Sequence, residues 1–179
     1  MPGKVTVART IRLDPSIEDI IKQEAEQSGL TQAAVINRAL RKYALFDKFA
    51  DKIGSLTLSK ETISRMLSFL SDEEAEIVGS ITYFAGQNAR QYMNLTVGGN
   101  TLGDFFTMLQ VLSTYAHIYE FDHQLVGNKH RIVFAHRMGS KWSSFLQGSM
   151  QATLKEVFGI RARFEKTESF LTMIFEDKA

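Results

Sequence analysis

The sequence predicts an α+β protein in two parts. A short strand and two helices fill residues 1–53, and an antiparallel sheet with helices packed on it fills residues 55–179. Three observations lead there. Thr6 to Leu13 alternates in polarity, and the next stretch carries two helical apolar stripes separated by Gly29-Leu30-Thr31. From Leu56 onward the periodic segments follow the order ααα-ββ-α-ββ. A chain of 179 residues has room for one large or two small domains. Its 44% hydrophobic and 23% charged residues are those of a soluble globular protein. With no cysteine, disulfides and thiolate metal sites are excluded.

In the first strand Val7, Ile11 and Leu13 share one parity and point towards the helices, while Thr6, Ala8, Thr10 and Arg12 point outwards. A lone strand leaves its backbone donors and acceptors without partners, so a second copy is expected. The result is a dimer with a two-stranded ribbon whose Thr and Arg side chains can reach base edges in a DNA major groove. An ordinary edge strand with surface Thr and Arg is the alternative.

Asp14 is placed to cap the first helix, with Pro15 at its first position. Ile17, Ile20, Ile21 and Ala25 form its apolar stripe, and Gly29 suits its C-terminus. Thr31 caps a second helix that runs from Gln32 to about Phe49, and its first amides can hold a phosphate. Gly54-Ser55 is the expected boundary, short enough to couple the two parts. Phe46 and Phe49 are too apolar for a free surface and are expected to pack on the second domain or its symmetry mate.

Thr10-Ile11-Arg12-Leu13-Asp14, the turn Gly29-Leu30-Thr31-Gln32-Ala33-Ala34, and the spacing Val35, Ile36, Ala39, Leu40, Tyr43 together resemble the ribbon-helix-helix family of DNA-binding proteins. The resemblance covers about the first quarter of the chain and implies an obligate dimer that binds double-stranded DNA. Carried over, it has Thr10 and Arg12, with Ala8 as a small contact, reading bases. Lys4, Arg9 and the amides at Thr31 and Gln32 fix phosphates. Arg9 departs from the family pattern, which prefers an apolar residue on the inward parity; it would lie beyond the helix-covered ribbon and turn to a phosphate. Residues 1–53 carry nine Lys/Arg and seven Asp/Glu, and residues 54–179 carry twelve and thirteen. DNA affinity would therefore rest on local arrangement and be modest and salt-sensitive.

Sixteen of the nineteen aromatics lie from Leu56 onward. Helices are expected over Ser59 to Leu70, from Asp72 (behind a Ser71/Glu74 capping box) as far as Met93, over Thr101 to Tyr115, and over Ser140 to Phe158. Ala116 to Val126 and Lys129 to His136 flank a Gly127-Asn128 turn, and Ile160 to Lys166 and Phe170 to Phe175 form a closing hairpin. This order resembles the 4-vinyl-reductase-type domain, of the same broad fold as the ligand-binding domains of NO signalling and Golgi transport. The matching stretches are Phe84-Ala85-Gly86-Gln87-Asn88-Ala89, the helix Leu102 to Leu112 leading into a strand, Phe145-Leu146-Gln147-Gly148, and Phe158-Gly159 before Glu165-Lys166-Thr167-Glu168-Ser169 and the closing strand. The resemblance implies a small-molecule pocket between sheet and helices, and often a dimer. That family's cysteines are missing, with Ser169 in one such place, so its metal chemistry does not transfer. Phe84, Phe105, Phe121, Phe134 and Trp142 are the candidate pocket walls, and they equally suit a filled core.

His117, His123, His130 and His136 all fall on the 116–136 hairpin. With a two-residue turn, Leu125 faces His130 and Tyr119 faces His136, which puts all four on one face. His123 and His130 become diagonal neighbours, as do His117 and His136, about 7–8 Å apart. Such a pair can bind zinc or copper, or one His can ligate haem. Hydrogen-bonded core histidines are the simpler reading, and no cofactor is expected. His136 to Ser143 is the densest polar cluster. It offers Gly139, Ser140 as a helix cap, and Arg137 and Lys141 as cations for an anion at a helix N-terminus; the plain alternative is a strand-to-helix turn anchored by Trp142. No nucleophile elbow, phosphate-cradling loop or paired carboxylates suggest an enzyme.

The expectation is a dimeric, sequence-specific DNA-binding transcriptional regulator with a C-terminal ligand-sensing or dimerisation domain. Its partners would be double-stranded DNA, itself and a small molecule. The alternative is an antitoxin-like or scaffold dimer whose second domain binds a protein. No apolar run spans a membrane and no leader opens the sequence, so a cytoplasmic location is expected.

Overall fold

The computed structural model describes residues 7–82 and 84–177. The chain divides into two compact units, residues 1–44 and 45–179. The change falls within the helical stretch between Lys42 and Lys48, not at the expected Gly54-Ser55.

In the first unit, α1 (Pro15–Ser28) starts on Pro15, whose missing N–H costs nothing at a helix start. Asp14 occupies the N-cap position with extended backbone, but its side chain makes no capping bond. Gly29 ends the helix at φ 66°, a left-handed conformation that glycine adopts without a Cβ clash. Thr31 then caps α2 (Gln32–Lys42) by accepting from the Ala34 amide at 3.2 Å. Arg38 of α2 pairs with Glu24 of α1. The strand expected over Thr6 to Leu13 is absent in the described part: residues 7–13 have no regular structure, and Thr6 and Lys4 lie outside the described residues. No segment among the described residues pairs with this stretch, and a β-ladder requires a partner.

The helical run expected to about Phe49 continues to Lys52, with a π-helical turn inside it. After α2 comes a π-helical turn, Tyr43–Asp47, and then α3 (Lys48–Lys52). Within the second unit, Phe49 is buried and meets Tyr92 edge-on, while Phe46 stacks with Tyr115 at 6.4 Å. Lys48 and Lys52 lie over the Phe49 ring, 4.6 and 6.0 Å from its centre.

Ser59 caps α4 (Lys60–Ser68), and the Ser71/Glu74 capping box opens α5 (Asp72–Ser80) as the spacing predicts. That helix does not reach Met93. It stops at Ser80, and α6 (Gly86–Thr96) begins afresh at Gly86, whose φ is 53°. Gly79, near its end, sits against the backbone of Phe145. Thr101 and Asp104 form a second capping box for α7 (Leu102–Val111), which passes into a π-helical turn, Leu112–Ala116.

The second unit contains a four-stranded antiparallel sheet of order β1-β2-β4-β3, where β1 is Glu120–Val126, β2 Lys129–Ala135, β3 Arg163–Lys166 and β4 Phe170–Glu176. Leu125 pairs with His130 across the two-residue turn, the register that the sequence predicts. Strands β1 and β3 start later than expected, at Glu120 and Arg163. One long helix, α8 (Ser140–Phe158), ends at Gly159. Ile132, Phe134, Leu171 and Met173 of the sheet, Leu146 and Leu154 of α8, and Phe105 and Leu109 of α7 form the core. No helix among the described residues is long and apolar enough to cross a membrane.

Candidate functional site

In the first unit the candidate DNA-contacting side chains Ala8, Arg9, Thr10 and Arg12 are all exposed. Arg9 donates to the Ala8 carbonyl at 3.2 Å. Gln32 is exposed at the start of α2, beside the Thr31 cap. The apolar residues of this unit are poorly covered. Val7 is 67% exposed, Ile11 56%, Ile20 60% and Leu40 58%, and among the described residues only Ala25 and Val35 are buried.

In the second unit the five proposed pocket walls belong to the core. Phe105, Phe134 and Trp142 are buried, and Phe84 and Phe121 pack against them. None of the five lines either of the two clefts described below. Trp142 is an anchor: its indole N–H donates to the Ile118 carbonyl at 3.2 Å, and its ring stacks on Phe145 at 4.7 Å.

The four histidines part company. His123 Nε2 and His130 Nδ1 lie 2.9 Å apart in nearly parallel rings whose centres are 5.1 Å apart. Two ring radii account for that gap, so the nitrogens point almost straight at each other. This is the geometry of one N–H···N hydrogen bond between neutral imidazoles. A metal bound by both would need about 2.0–2.1 Å to each nitrogen. Phe106 covers both rings at 4.1 and 5.2 Å, and Phe175 stacks on His130 at 4.8 Å. Burial lowers the pKa of both, and the charge of a protonated His130 would lower that of His123 further. Among the described residues no group of three or more His, Asp or Glu is placed to hold a metal ion.

His136 takes a different partner. Its Nε2 is 2.9 Å from Ser143 Oγ, and its Nδ1 accepts from the Met138 amide at 3.4 Å. With Nδ1 accepting, the proton sits on Nε2, so His136 donates to Ser143. Ser143 passes its own proton to the Thr167 carbonyl at 2.6 Å. A nucleophilic serine needs the reverse arrangement, with imidazole accepting the hydroxyl proton. This Ser–His pair is therefore wired as a structural clasp between α8 and the β3–β4 turn. Burial, with a smaller effect of the Lys60 charge, lowers the His136 pKa to about 4.

His117 stands apart from the other three. It ends the second π-helical turn at φ 53°, a left-handed backbone uncommon for a residue with a Cβ. His117 and His136 border one open cleft of about 770 Å³ that also includes Lys60, Glu120, Arg137 and Phe170. Gly139 at φ 83°, not Ser140, occupies the N-cap of α8, and Ser140 is already helical. Of the cations near the helix start, Lys141 is taken by Asp72 at 2.7 Å, and Lys166 lies 4.0 Å from the same carboxylate. The Lys141 hydrogen bond is the main reason the Asp72 pKa is lowered. Sequence reading missed Lys60, because α4 reaches this cleft only through the fold; Ser64 of α4 donates to the Met138 carbonyl at 3.1 Å. A second cleft of about 440 Å³ lies between α5 and α8, with Glu73, Glu76, Lys155 and Glu156 on its rim.

Comparison with family models and with curated proteins gave no match to this chain.

Proposed function

We propose that the protein is a dimeric, sequence-specific DNA-binding transcriptional regulator whose second unit senses a small molecule or helps dimerisation. The observation that carries this reading is the state of the first unit. Two helices, the second with a side-chain cap at Thr31, follow a basic, alternating stretch that has no β-partner among the described residues. Val7, Ile11, Ile20 and Leu40 remain more than half exposed on a module too small to cover them. A second copy would pair the two stretches as a ribbon, cover those residues and present Ala8, Thr10 and Arg12 as a row for base edges. Lys4, Arg9 and the α2 amides at Thr31 and Gln32 would hold phosphates on either side.

The test is selection of a preferred site from random duplex DNA by the full chain, followed by binding titrations across salt. The expected result is a two-fold-related site and a log–log salt slope of several units, scaling as about 0.9 per phosphate contact. Failure to enrich any sequence, with no salt-dependent binding, would remove the reading.

A second reading is favoured by α4 and α5. Met66 is 60% exposed, Phe69 88%, Ile77 61% and Ile81 73%. Large apolar side chains left exposed on two successive helical segments suit a protein partner, as in an antitoxin-like or scaffold dimer. The two readings separate on DNA: a scaffold would bind duplexes without sequence preference or not at all.

A further inference from the structure

The cleft at the end of the sheet combines a cavity with two cations, Lys60 and Arg137, that form no ion pair among the described residues. Lys60 is the first residue of α4, and the Ser64–Met138 hydrogen bond brings that helix beside the β2–α8 loop. Arg137 lies in this loop and is exposed. Among the described residues neither takes part in an ion pair, whereas Lys141 and Lys166 nearby share Asp72. Phe170 adds an apolar wall and is 48% exposed, unusual for a strand aromatic beside a core. The backbone around the cleft is specialised too, with His117 in a left-handed conformation directly after a π-helical turn. Such departures from regular geometry cost energy, and they gather at ligand sites.

We propose that this cleft binds a small organic anion, its carboxylate or phosphate held between Lys60 and Arg137 and its apolar body lying on Phe170. The planar guanidinium of Arg137 can grip two oxygens of one anionic group, and Lys60 adds a point charge. Glu120 lines the same cleft and limits the net positive charge, so a ligand with one anionic group suits it better than a polyanion. His136 has its ring nitrogens engaged and is neutral near pH 7, so it shapes the wall without adding charge. This inference rests on the sensing role proposed for the second unit and gives that role a site and a ligand class.

The test uses the full chain, without DNA, at low salt. Inorganic phosphate, benzoate and phenyl phosphate are titrated by calorimetry into wild type and into Lys60→Gln, Arg137→Gln, Phe170→Ala and Lys155→Gln. Saturable binding of benzoate, phenyl phosphate or both is expected, with inorganic phosphate weaker; the preferred probe tells carboxylate from phosphate. Arg137→Gln and Lys60→Gln should each weaken the aromatic probes about tenfold. Phe170→Ala should weaken the aromatic probes but leave inorganic phosphate alone. Lys155→Gln, on the other cleft, should change nothing. Circular dichroism of each variant checks that it is folded; Lys60 and Arg137 are exposed, so these two replacements keep the fold. The proposal is overturned if no probe saturates on folded wild type, if both cation variants bind as wild type does, or if Lys155→Gln is the variant that loses binding. Because no DNA is present, each of these results leaves the DNA-binding reading where it stands.

Discussion

Gly148 of α8 lies so close to Glu76 of α5 that an added Cβ would overlap the Glu76 carbonyl oxygen. Gly79 of α5 meets the Phe145 carbonyl of α8 in the same way, so each helix presents a glycine to the other's backbone. Backbone cannot step aside as a flexible side chain can. Gly148→Ala should therefore destabilise the second unit by about 3 kcal/mol, the upper end of ordinary overpacking. Urea unfolding followed through the single tryptophan, Trp142, reads this directly. An unchanged midpoint would mean that the crossing is looser than described.

Phe49 offers a test of where the units divide. It is buried among residues of the second unit, so Phe49→Ala should cost that unit about 3–4 kcal/mol. The Trp142 transition should move to lower urea by a corresponding amount. An unmoved transition would place Phe49 outside the second unit.

Burial of His136 makes stability depend on pH. The folded pKa of His136 is depressed to about 4, below its ordinary value of 6.5. The folded state thus prefers the neutral ring. The contribution is complete above pH 6.5 and is lost progressively as pH falls from there towards 4. Its size should be about 2 kcal/mol, less than the full shift implies, because water reaches the cleft. His136→Gln should flatten this part of the stability profile; a variant with the wild-type slope would assign the pH dependence elsewhere.

Ser143 should be chemically inert. Its proton goes to the Thr167 carbonyl and it accepts from His136, so no base is positioned to activate it. A fluorophosphonate probe should leave it unlabelled after hours at neutral pH. Specific labelling at Ser143 would reverse the tautomer assigned here.

On the DNA side, Arg12→Ala should weaken binding to a selected site by roughly 1–3 kcal/mol and relax sequence preference. Lys4→Ala should weaken all duplexes similarly and lower the salt slope by about one unit. If Arg12→Ala discriminates between selected and random duplexes as well as wild type does, the outward face has been wrongly assigned.

Assembly can be checked in the same protein. Ile11→Asp places a charge on the inward parity of the ribbon, where a paired copy would bury it. Sedimentation should show loss of dimer at micromolar concentration, by several kcal/mol of association. A wild-type chain that sediments as a monomer across that range would sink the ribbon itself.

What the sequence determined by itself is local. Thr31, Ser59, Ser71 with Glu74, and Gly159 mark helix ends because capping and left-handed turns depend on one residue and its near neighbours. The Leu125–His130 register follows from a two-residue turn and from alternation, again a short-range matter. Tertiary structure decided the rest. The Ser71 helix stops at Ser80, and Gly79 beside that end meets the α8 backbone, a contact that no periodicity in the sequence carries. That Phe46 and Phe49 pack with the second part was legible in their apolarity, but the division between Ala44 and Leu45 was not. The four histidines, alike by parity, become a neutral pair, a clasp and a strained cleft residue according to what packs beside each. Lys60 joins Arg137 across a long stretch of sequence because α4 is tied to the β2–α8 loop. Caps and turns are set by neighbours along the chain; burial, charge partnership and clefts are set by neighbours in space.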